Sequence, residues 1–232
     1  LIFFLVPRDK LDFSGEERTS DPEQYLQTCL EDVVRIEIEN LGSKGGYDTP
    51  QGFVMYQDEK IPYLCYTSEY YKPCIVQQPN VQGQFEREME KSLEKDAEAC
   101  LTDFKLDIEG QGYRVSRGDV EVDVEFVPGN AKVKVISPVS VSKEVSRTYN
   151  EFDLGYKSEI YDLLSISTNI VDFESTFGDS ETTLYTQYYP DIKIEKMKLS
   201  DGSTIYEVSN VITEEKVRFA SRSLAWPPGF AS

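Results

Sequence analysis

Apolar residues recur at helical spacing in two stretches of the first half of the chain. The first stretch begins at Ser20 or Asp21, either of which supplies an N-cap. Pro22 fits its first turn, and Gly42 follows its last apolar residue. The stripe of the second stretch consists of Val81, Phe85, Met89, Leu93, Ala97, Leu101 and Phe104. Both patterns predict amphipathic helices that pack one face against a neighbouring element.

Alternating apolar and polar residues predict three β-hairpins and a last strand. The hairpins pair residues 52–56 with 61–67, 119–126 with 131–137, and 191–199 with 203–211, and the last strand covers residues 214–225. In the second hairpin an acidic row faces a row of lysines across a Pro-Gly-Asn turn. Cross-strand pairing favours this arrangement, so these charges need no functional explanation.

The pattern changes in residues 144–176, where a run of apolar side chains predicts a third helix: Ile160, Leu163, Leu164, Ile170, Val171 and Phe173. A short helical or looped piece follows at residues 182–190. Helices thus alternate with antiparallel hairpins, which predicts an α+β fold with two or three amphipathic helices.

Three regions describe the organisation of the chain. Residues 1–19 contain an apolar segment, and residues 20–142 form a region that holds all the cysteines. Residues 143–232 form a second α+β region, either a separate unit or part of the same domain.

Composition excludes several functional classes. The chain of 232 residues carries 42 acidic and 24 basic residues, for a net charge of -18. This charge repels phosphate backbones, so we expect no nucleic-acid partner. Because the chain has no histidine, it has neither a Ser-His-Asp triad nor a Cys-His dyad nor a His-ligated metal. Carboxylate, lysine and tyrosine chemistry stays open.

The four cysteines favour two disulfides. None belongs to a CxxC pair of the kind found in zinc and redox sites. Of the three possible pairings, Cys65 with Cys74 closes a local loop. Cys29 and Cys100 lie on or near the apolar stripes of the two predicted helices, which packing brings together. Disulfides persist outside the cytosol and predict an extracytoplasmic protein, whereas four buried thiols in a cytosolic domain are the alternative.

Clustered tyrosines are the candidate recognition residues, because tyrosine offers a large, stiff contact area with a polar tip. The first cluster surrounds the short disulfide loop and consists of Tyr63, Tyr66, Tyr70 and Tyr71. The second consists of Tyr185, Tyr188 and Tyr189. Half-buried tyrosines on sheet faces are the structural alternative for both clusters.

Signals for cofactors and metals are weak. A calcium site could be formed by Asp107, Glu109, Asp119 and Glu121, although the EF-hand order of ligands is absent. Phosphate-binding glycine loops, a nucleophile elbow and a metalloprotease motif do not occur in the chain. We therefore expect no organic cofactor, no metal centre and no catalytic residue.

A run of six apolar side chains opens the sequence: Leu1, Ile2, Phe3, Phe4, Leu5 and Val6. Six residues span about a third of a bilayer, so the run is not a transmembrane helix by itself. It could be the end of a membrane anchor, a strand inserted into a neighbouring subunit, or a strand of the protein's own core. We expect it to serve attachment.

Several short motifs occur in a fixed order: Cys29 in a first helix, Gly45-Gly46-Tyr47, a helix that reaches Cys100, a β-hairpin, and RFASRSLAWPP at residues 218–228. In this order they resemble a family of uncharacterised archaeal surface proteins. Members of that family look like single-anchor proteins with an N-terminal hydrophobic helix similar to that of type IV pilin-like proteins. The resemblance implies a location outside the membrane.

Together these patterns predict an extracytoplasmic surface subunit. Its expected partners are copies of itself, in an oligomer or filament, or the membrane, reached through the N-terminal segment. The alternatives are a ligand-binding surface domain and a secreted carboxylate-dependent hydrolase. A cleft with two facing carboxylates at glycosidase spacing would favour the hydrolase.

Overall fold

The structure, a computed structural model, describes residues 21–225. The apolar run at residues 1–6 lies outside this range. The helices are α1 (Pro22–Ser43), α2 (Val81–Glu109), α3 (Ile160–Phe177) and α4 (Thr183–Tyr188). The strands are β1 (Phe53–Tyr56), β2 (Glu59–Tyr66), β3 (Ile75–Val76), β4 (Arg114–Arg117), β5 (Glu121–Val127), β6 (Asn130–Ser142), β7 (Ser146–Lys157), β8 (Ile192–Lys198), β9 (Ser203–Asn210) and β10 (Lys216–Arg222). This composition confirms the α+β class.

Capping residues define where the two long helices begin. Asp21 caps α1, and its carboxylate accepts a hydrogen bond of 3.1 Å from the backbone N–H of Glu23. Asn80 caps α2 in the same way through the N–H of Gly83, at 2.9 Å. Each helix buries an apolar stripe, and the two helices pack against each other. Both predicted helices are therefore confirmed.

Both predicted disulfides are present. Cys29 of α1 bonds to Cys100 of α2, with their Cα atoms 6.1 Å apart. Cys65 of β2 bonds to Cys74, with a Cα separation of 5.4 Å, and closes the loop that leads into β3. Disulfides of this kind are typical of proteins in oxidising environments. Within residues 21–225, no helix has both the length and the apolar character needed to cross a membrane.

The first sheet has the strand order β1-β2-β10-β9-β8. The short strand β3 also pairs with β2. β10 runs parallel to β2 and antiparallel to β9, so the last strand inserts between the first and third predicted hairpins. A tight turn at Gln57 and Asp58 joins β1 to β2, and both residues have the positive φ that a type I′ turn requires. Helix α3 packs against this sheet.

The second sheet consists of β4, β5, β6 and β7, with the long strand β6 at its centre. Asp123 lies opposite Lys134, and Glu125 lies opposite Lys132 at an ion-pair distance of 3.0 Å. The predicted facing rows of charge are thus confirmed. α2 covers the other face of this sheet, where alternate side chains of β5 and β6 are buried.

One prediction needs a correction. The third helix begins only at Ile160, and residues 146–157 of the stretch assigned to it form β7. In the first half of β7 only Tyr149 is half-buried, packed against the core opposite Val139, whereas the Thr148 hydroxyl lies on the exposed face, 2.9 Å from that of Ser140. From Phe152 onward the even-numbered side chains are buried instead, so the ladder irregularity near Asn150 changes which positions of β7 face the core. A strand whose inward positions change in this way shows no continuous period of two, and the usual signal of a strand is missing.

Candidate functional site

A groove of about 720 Å³ lies between the N-terminal half of α2 and the β1–β2 hairpin. It is lined by Tyr47, Thr49, Pro50, Gln51, Gly52, Phe53, Pro62, Tyr63, Tyr66, Gln77, Gln84 and Glu88. These residues come from α2, from β1 and β2, and from the loops that follow α1 and β3. We call this site the tyrosine groove.

Two tyrosines of β2 are held in fixed positions in the groove. The ring centroids of Tyr63 and Tyr66 are 4.9 Å apart. The Tyr63 hydroxyl lies 2.8 Å from the Ser203 hydroxyl, and burial raises the pKa of Tyr63. The guanidinium of Arg222 lies 5.7 Å from the centroid of Tyr66. Rings fixed in this way form a preorganised contact surface.

A chain of amide groups forms the opposite wall. Gln78 donates from Nε2 to the Tyr47 hydroxyl at 3.3 Å and to Oε1 of Gln84 at 3.4 Å. Gln84 in turn donates to Oε1 of Glu88 at 3.0 Å. Oε1 of Gln84 also accepts from Arg87 at 2.9 Å. The wall therefore consists of amide groups and one carboxylate whose orientation is fixed by their neighbours.

Two glycines bring Tyr47 to the rim of the groove. Gly45 and Gly46 have φ values of +57° and +86°, in the left-handed region that favours glycine. A Cβ atom at Gly45 would lie 2.8 Å from the Pro62 side chain and 3.0 Å from the backbone oxygen of Arg218. Only glycine allows this loop to cross so close to β2 and β10.

The other two tyrosines of the first cluster lie outside the groove. Tyr70 and Tyr71 are 67% and 74% exposed, on the loop closed by the short disulfide. That loop is tied to the end of β10, because Arg222 donates to the Thr67 oxygen at 2.6 Å and Tyr71 donates its N–H to the Leu224 oxygen at 2.7 Å. The predicted cluster thus divides into a groove pair and an exposed loop pair.

The charge of the groove restricts its chemistry. Among the described residues that line it, Glu88 is the only acid, and none is Lys or Arg. Glycoside cleavage by the usual mechanism needs two carboxyl groups on either side of the bond, and this groove supplies one. The groove therefore gives no support to the hydrolase alternative.

The remaining candidate residues are dispersed. Tyr188 and Tyr189 line a smaller cavity of about 240 Å³, whereas Tyr185 packs against the core. The four acids of the calcium candidate do not form a site, since no group of three or more acidic or cysteine side chains in residues 21–225 is arranged to hold a metal ion. Asp107 and Glu109 lie on α2, and Glu121 begins β5.

One buried acid is not indicated by the sequence pattern. Glu174 of α3 is 2% exposed and accepts hydrogen bonds from the hydroxyls of Tyr206 and Ser221 and from the N–H of Ser180. The signal that could have revealed it is its position one turn beyond Ile170 and Val171, on the apolar stripe of α3. The amide wall carries no such signal, because polar residues on a helix surface do not indicate where they face.

No family model, curated protein or solved structure was found that matches this chain.

Proposed function

We propose that this protein is an extracytoplasmic domain that binds an elongated, uncharged ligand in the tyrosine groove and is displayed at the cell surface. The observation that carries the proposal is the groove itself, with fixed aromatic rings on one side and oriented amide and carboxylate groups on the other. Ligand sites commonly combine apolar walls with a few placed polar groups in this way.

A neutral oligosaccharide fits this surface best. Pyranose rings have apolar faces that stack on tyrosine and hydroxyl groups that bind amides and carboxylates. None of the described residues that line the groove is Lys or Arg, and Arg222, beside Tyr66, donates to the backbone oxygens of Thr67 and Asp201. These walls therefore suit a neutral sugar better than a phosphate, a sulfate or a uronic acid. An extended proline-rich peptide is the competing occupant, because such peptides also dock in aromatic grooves.

The test is a titration of the purified protein with neutral oligosaccharides and with proline-rich peptides. We expect the variant Tyr66→Ala to weaken sugar binding by about tenfold, since an aromatic anchor contributes about 1.4 kcal/mol or more. Tyr70→Ala is the matched control, because Tyr70 is a tyrosine of the neighbouring loop outside the groove. Equal losses in both variants, or binding of the peptide alone, would contradict the proposal.

Display at the surface is a separate part of the proposal. The two disulfides support an oxidising location. The resemblance to anchored archaeal surface proteins and the apolar residues Leu1–Val6 support attachment to a membrane or to neighbouring copies. Burial of six such side chains would release on the order of 10 kcal/mol before ordering costs, which is sufficient to drive association.

Deletion of residues 1–7 tests attachment. We expect the shortened chain to keep its circular dichroism spectrum and its thermal transition, and to lose flotation with lipid vesicles or sedimentation as filaments. The full chain measured in parallel is the control. If the shortened chain is unfolded, the apolar run belongs to the protein's own core and the attachment proposal is wrong.

A further inference from the structure

The second tyrosine cluster lies beside a small cavity at the start of α3. The cavity has a volume of about 240 Å³, and Tyr188 and Tyr189 line it together with residues of α3 and of the turn between β9 and β10. The two tyrosines are 78% and 50% exposed. Within residues 21–225, neither ring stacks on another aromatic ring or carries a cation over its face. Both rings are therefore accessible to a ligand.

Backbone hydrogen bonds hold the segment that joins α4 to β8. The N–H of Tyr189 donates to the Tyr185 oxygen at 2.9 Å, and the Tyr189 oxygen accepts from the N–H of Ile192 at 3.0 Å. The Asp191 oxygen accepts from the N–H of Val211 at 2.8 Å. The segment is thus tied to its neighbours on both sides, so a ligand would contact a preorganised surface.

The cavity is acidic. Glu159, Asp162 and Asp191 line it, and none of the described lining residues is Lys or Arg. In the part of the chain that the structure describes, these three carboxylates make no ion pair. The carboxylate of Glu215 lies close by and accepts from the N–H of Glu159 at 2.7 Å. Because Glu215 already occupies the positive end of α3, the lining carboxylates keep their attraction for a cation.

A buried hydrogen-bond donor also borders the cavity. Asn210 is 8% exposed, and its Oδ1 accepts from the N–H groups of Ile212 and Thr213 at 2.8 and 3.1 Å. These bonds place the carboxamide among the residues that line the cavity. Within residues 21–225, no group accepts a hydrogen bond from Nδ2 of Asn210. A carbonyl oxygen of a bound ligand would satisfy this donor.

We propose that the cavity binds one arginine side chain of a basic partner protein, presented on an extended segment of that partner. A guanidinium group stacks on tyrosine rings and forms paired hydrogen bonds with carboxylates, whereas a lysine ammonium is a point charge. Nδ2 of Asn210 would donate to a backbone oxygen of the same segment. The site is distinct from the tyrosine groove.

The size of the cavity and the charge of the chain favour this ligand. Pockets for whole small molecules usually measure about 300 to 1,000 Å³, so a smaller cavity suits a single side chain. The net charge of -18 attracts basic proteins at long range. That attraction is not specific to this site, so the test has to separate the two effects.

The test is a titration of the full chain with the capped peptide acetyl-Gly-Leu-Arg-Leu-Gly-amide, carrying a fluorescent label and followed by anisotropy. The ionic strength is about 0.15 M, where a Debye length of about 8 Å limits long-range attraction. We expect a peptide with citrulline in place of arginine to bind about tenfold more weakly, because citrulline keeps the shape and loses the charge. A lysine peptide should also bind more weakly than the arginine peptide.

Two variants locate the contact. Tyr188→Ala should weaken binding of the arginine peptide about tenfold through loss of stacking, whereas Tyr70→Ala should not. Asp162→Asn should weaken it about fivefold, the upper end of what an exposed ion pair contributes. Its control is Asp172→Asn, which removes the same charge from α3 outside the cavity. In the nuclear magnetic resonance spectrum, the arginine peptide should shift the side-chain amide signal of Asn210.

Three results would overturn the proposal. One is equal affinity for the arginine and citrulline peptides. Another is an equal loss of affinity in Asp162→Asn and Asp172→Asn, which would show that only the net charge of the chain matters. The third is a gain in affinity when residues 1–20 are deleted, which would show that Arg8 or Arg18 of the chain itself occupies the cavity.

Discussion

Glu174 joins four parts of the molecule through one carboxyl group. Its oxygens accept hydrogen bonds from Tyr206 of β9, from Ser221 of β10 at 3.0 Å, and from the N–H of Ser180 at 3.2 Å in the loop after α3. Lys196 of β8 lies over the Tyr206 ring and donates to Asp179 at 2.6 Å. Burial of an acid destabilises the folded state unless such partners compensate for the lost hydration of the carboxyl group.

The protonation of Glu174 links stability to pH. Burial raises the pKa of Glu174, against the opposing effects of its hydrogen bonds to Tyr206 and Ser221. The folded state therefore holds the proton more tightly than the unfolded state, in which the pKa is about 4.3. The resulting stabilisation is complete below that value and is lost as the pH rises through the raised pKa.

We expect Glu174→Gln to gain stability relative to wild type as the pH rises above about 4.3, because glutamine does not ionise. The amide oxygen can still accept from Tyr206 and Ser180, and the amide nitrogen can donate to the Ser221 hydroxyl. Denaturant titrations of both proteins at several pH values measure the difference. A difference that does not change with pH would contradict the linkage.

The variant Glu174→Leu measures the contribution of the hydrogen bonds of Glu174, apart from the effect of its ionisation. Leucine leaves buried donors of Tyr206 and Ser180 without an acceptor, so we expect a loss of about 3 kcal/mol in the free energy of unfolding. Denaturant unfolding near the pH of greatest stability measures this loss. A free energy of unfolding equal to that of Glu174→Gln would show that the hydrogen bonds contribute little.

At the scale of elements, the two disulfides differ in the chain they enclose. Cys29 and Cys100 are separated by 71 residues, whereas Cys65 and Cys74 are separated by 9. The chain-entropy model assigns about 4 kcal/mol to the long loop and about 3 kcal/mol to the short one. Replacing Cys29 and Cys100 by serine should therefore lower the denaturation midpoint more than the same change at Cys65 and Cys74. The opposite order would indicate that the short loop also supports the tyrosine groove.

Helices and strands whose apolar residues recur at regular spacing could be predicted from the sequence. Helix α2 buries one stripe of side chains at helical spacing, and strands β5 and β6 each bury every second side chain. The cysteine pairing followed from the same stripes, since Cys29 and Cys100 lie where α1 meets α2. The sequence does not predict β7, because its inward positions change from odd to even numbers at an irregularity, nor the four-residue strand β4, because it is short.

The candidate site could be predicted only in part. Tyr63 and Tyr66 were singled out by composition, and both line the groove. Gln84 and Glu88 join them only because α2 packs beside β2, a long-range contact that no local pattern contains. The insertion of β10 next to β2 is likewise a property of topology, and it places Arg222 against Tyr66.

At the scale of the whole molecule, each sheet is built from both halves of the chain. β10 lies between β2 and β9 in the first sheet, and β7 completes the second sheet along the full length of β6. The largest buried cluster includes Leu30 and Phe85 from the first half together with Ile170 and Phe219 from the second. Neither half can bury these side chains or pair these strands alone.

A chain cut after residue 142 tests this dependence. We expect the fragment of residues 21–142 to lack a cooperative thermal transition, even with both disulfides formed, because β2 loses β10 and β6 loses β7. The intact chain should unfold in a single transition that is the same by circular dichroism and by tyrosine fluorescence. A fragment that melts cooperatively at the temperature of the intact chain would mean that residues 20–142 fold as a unit. In that case the strands contributed by the second half would be additions to a complete core.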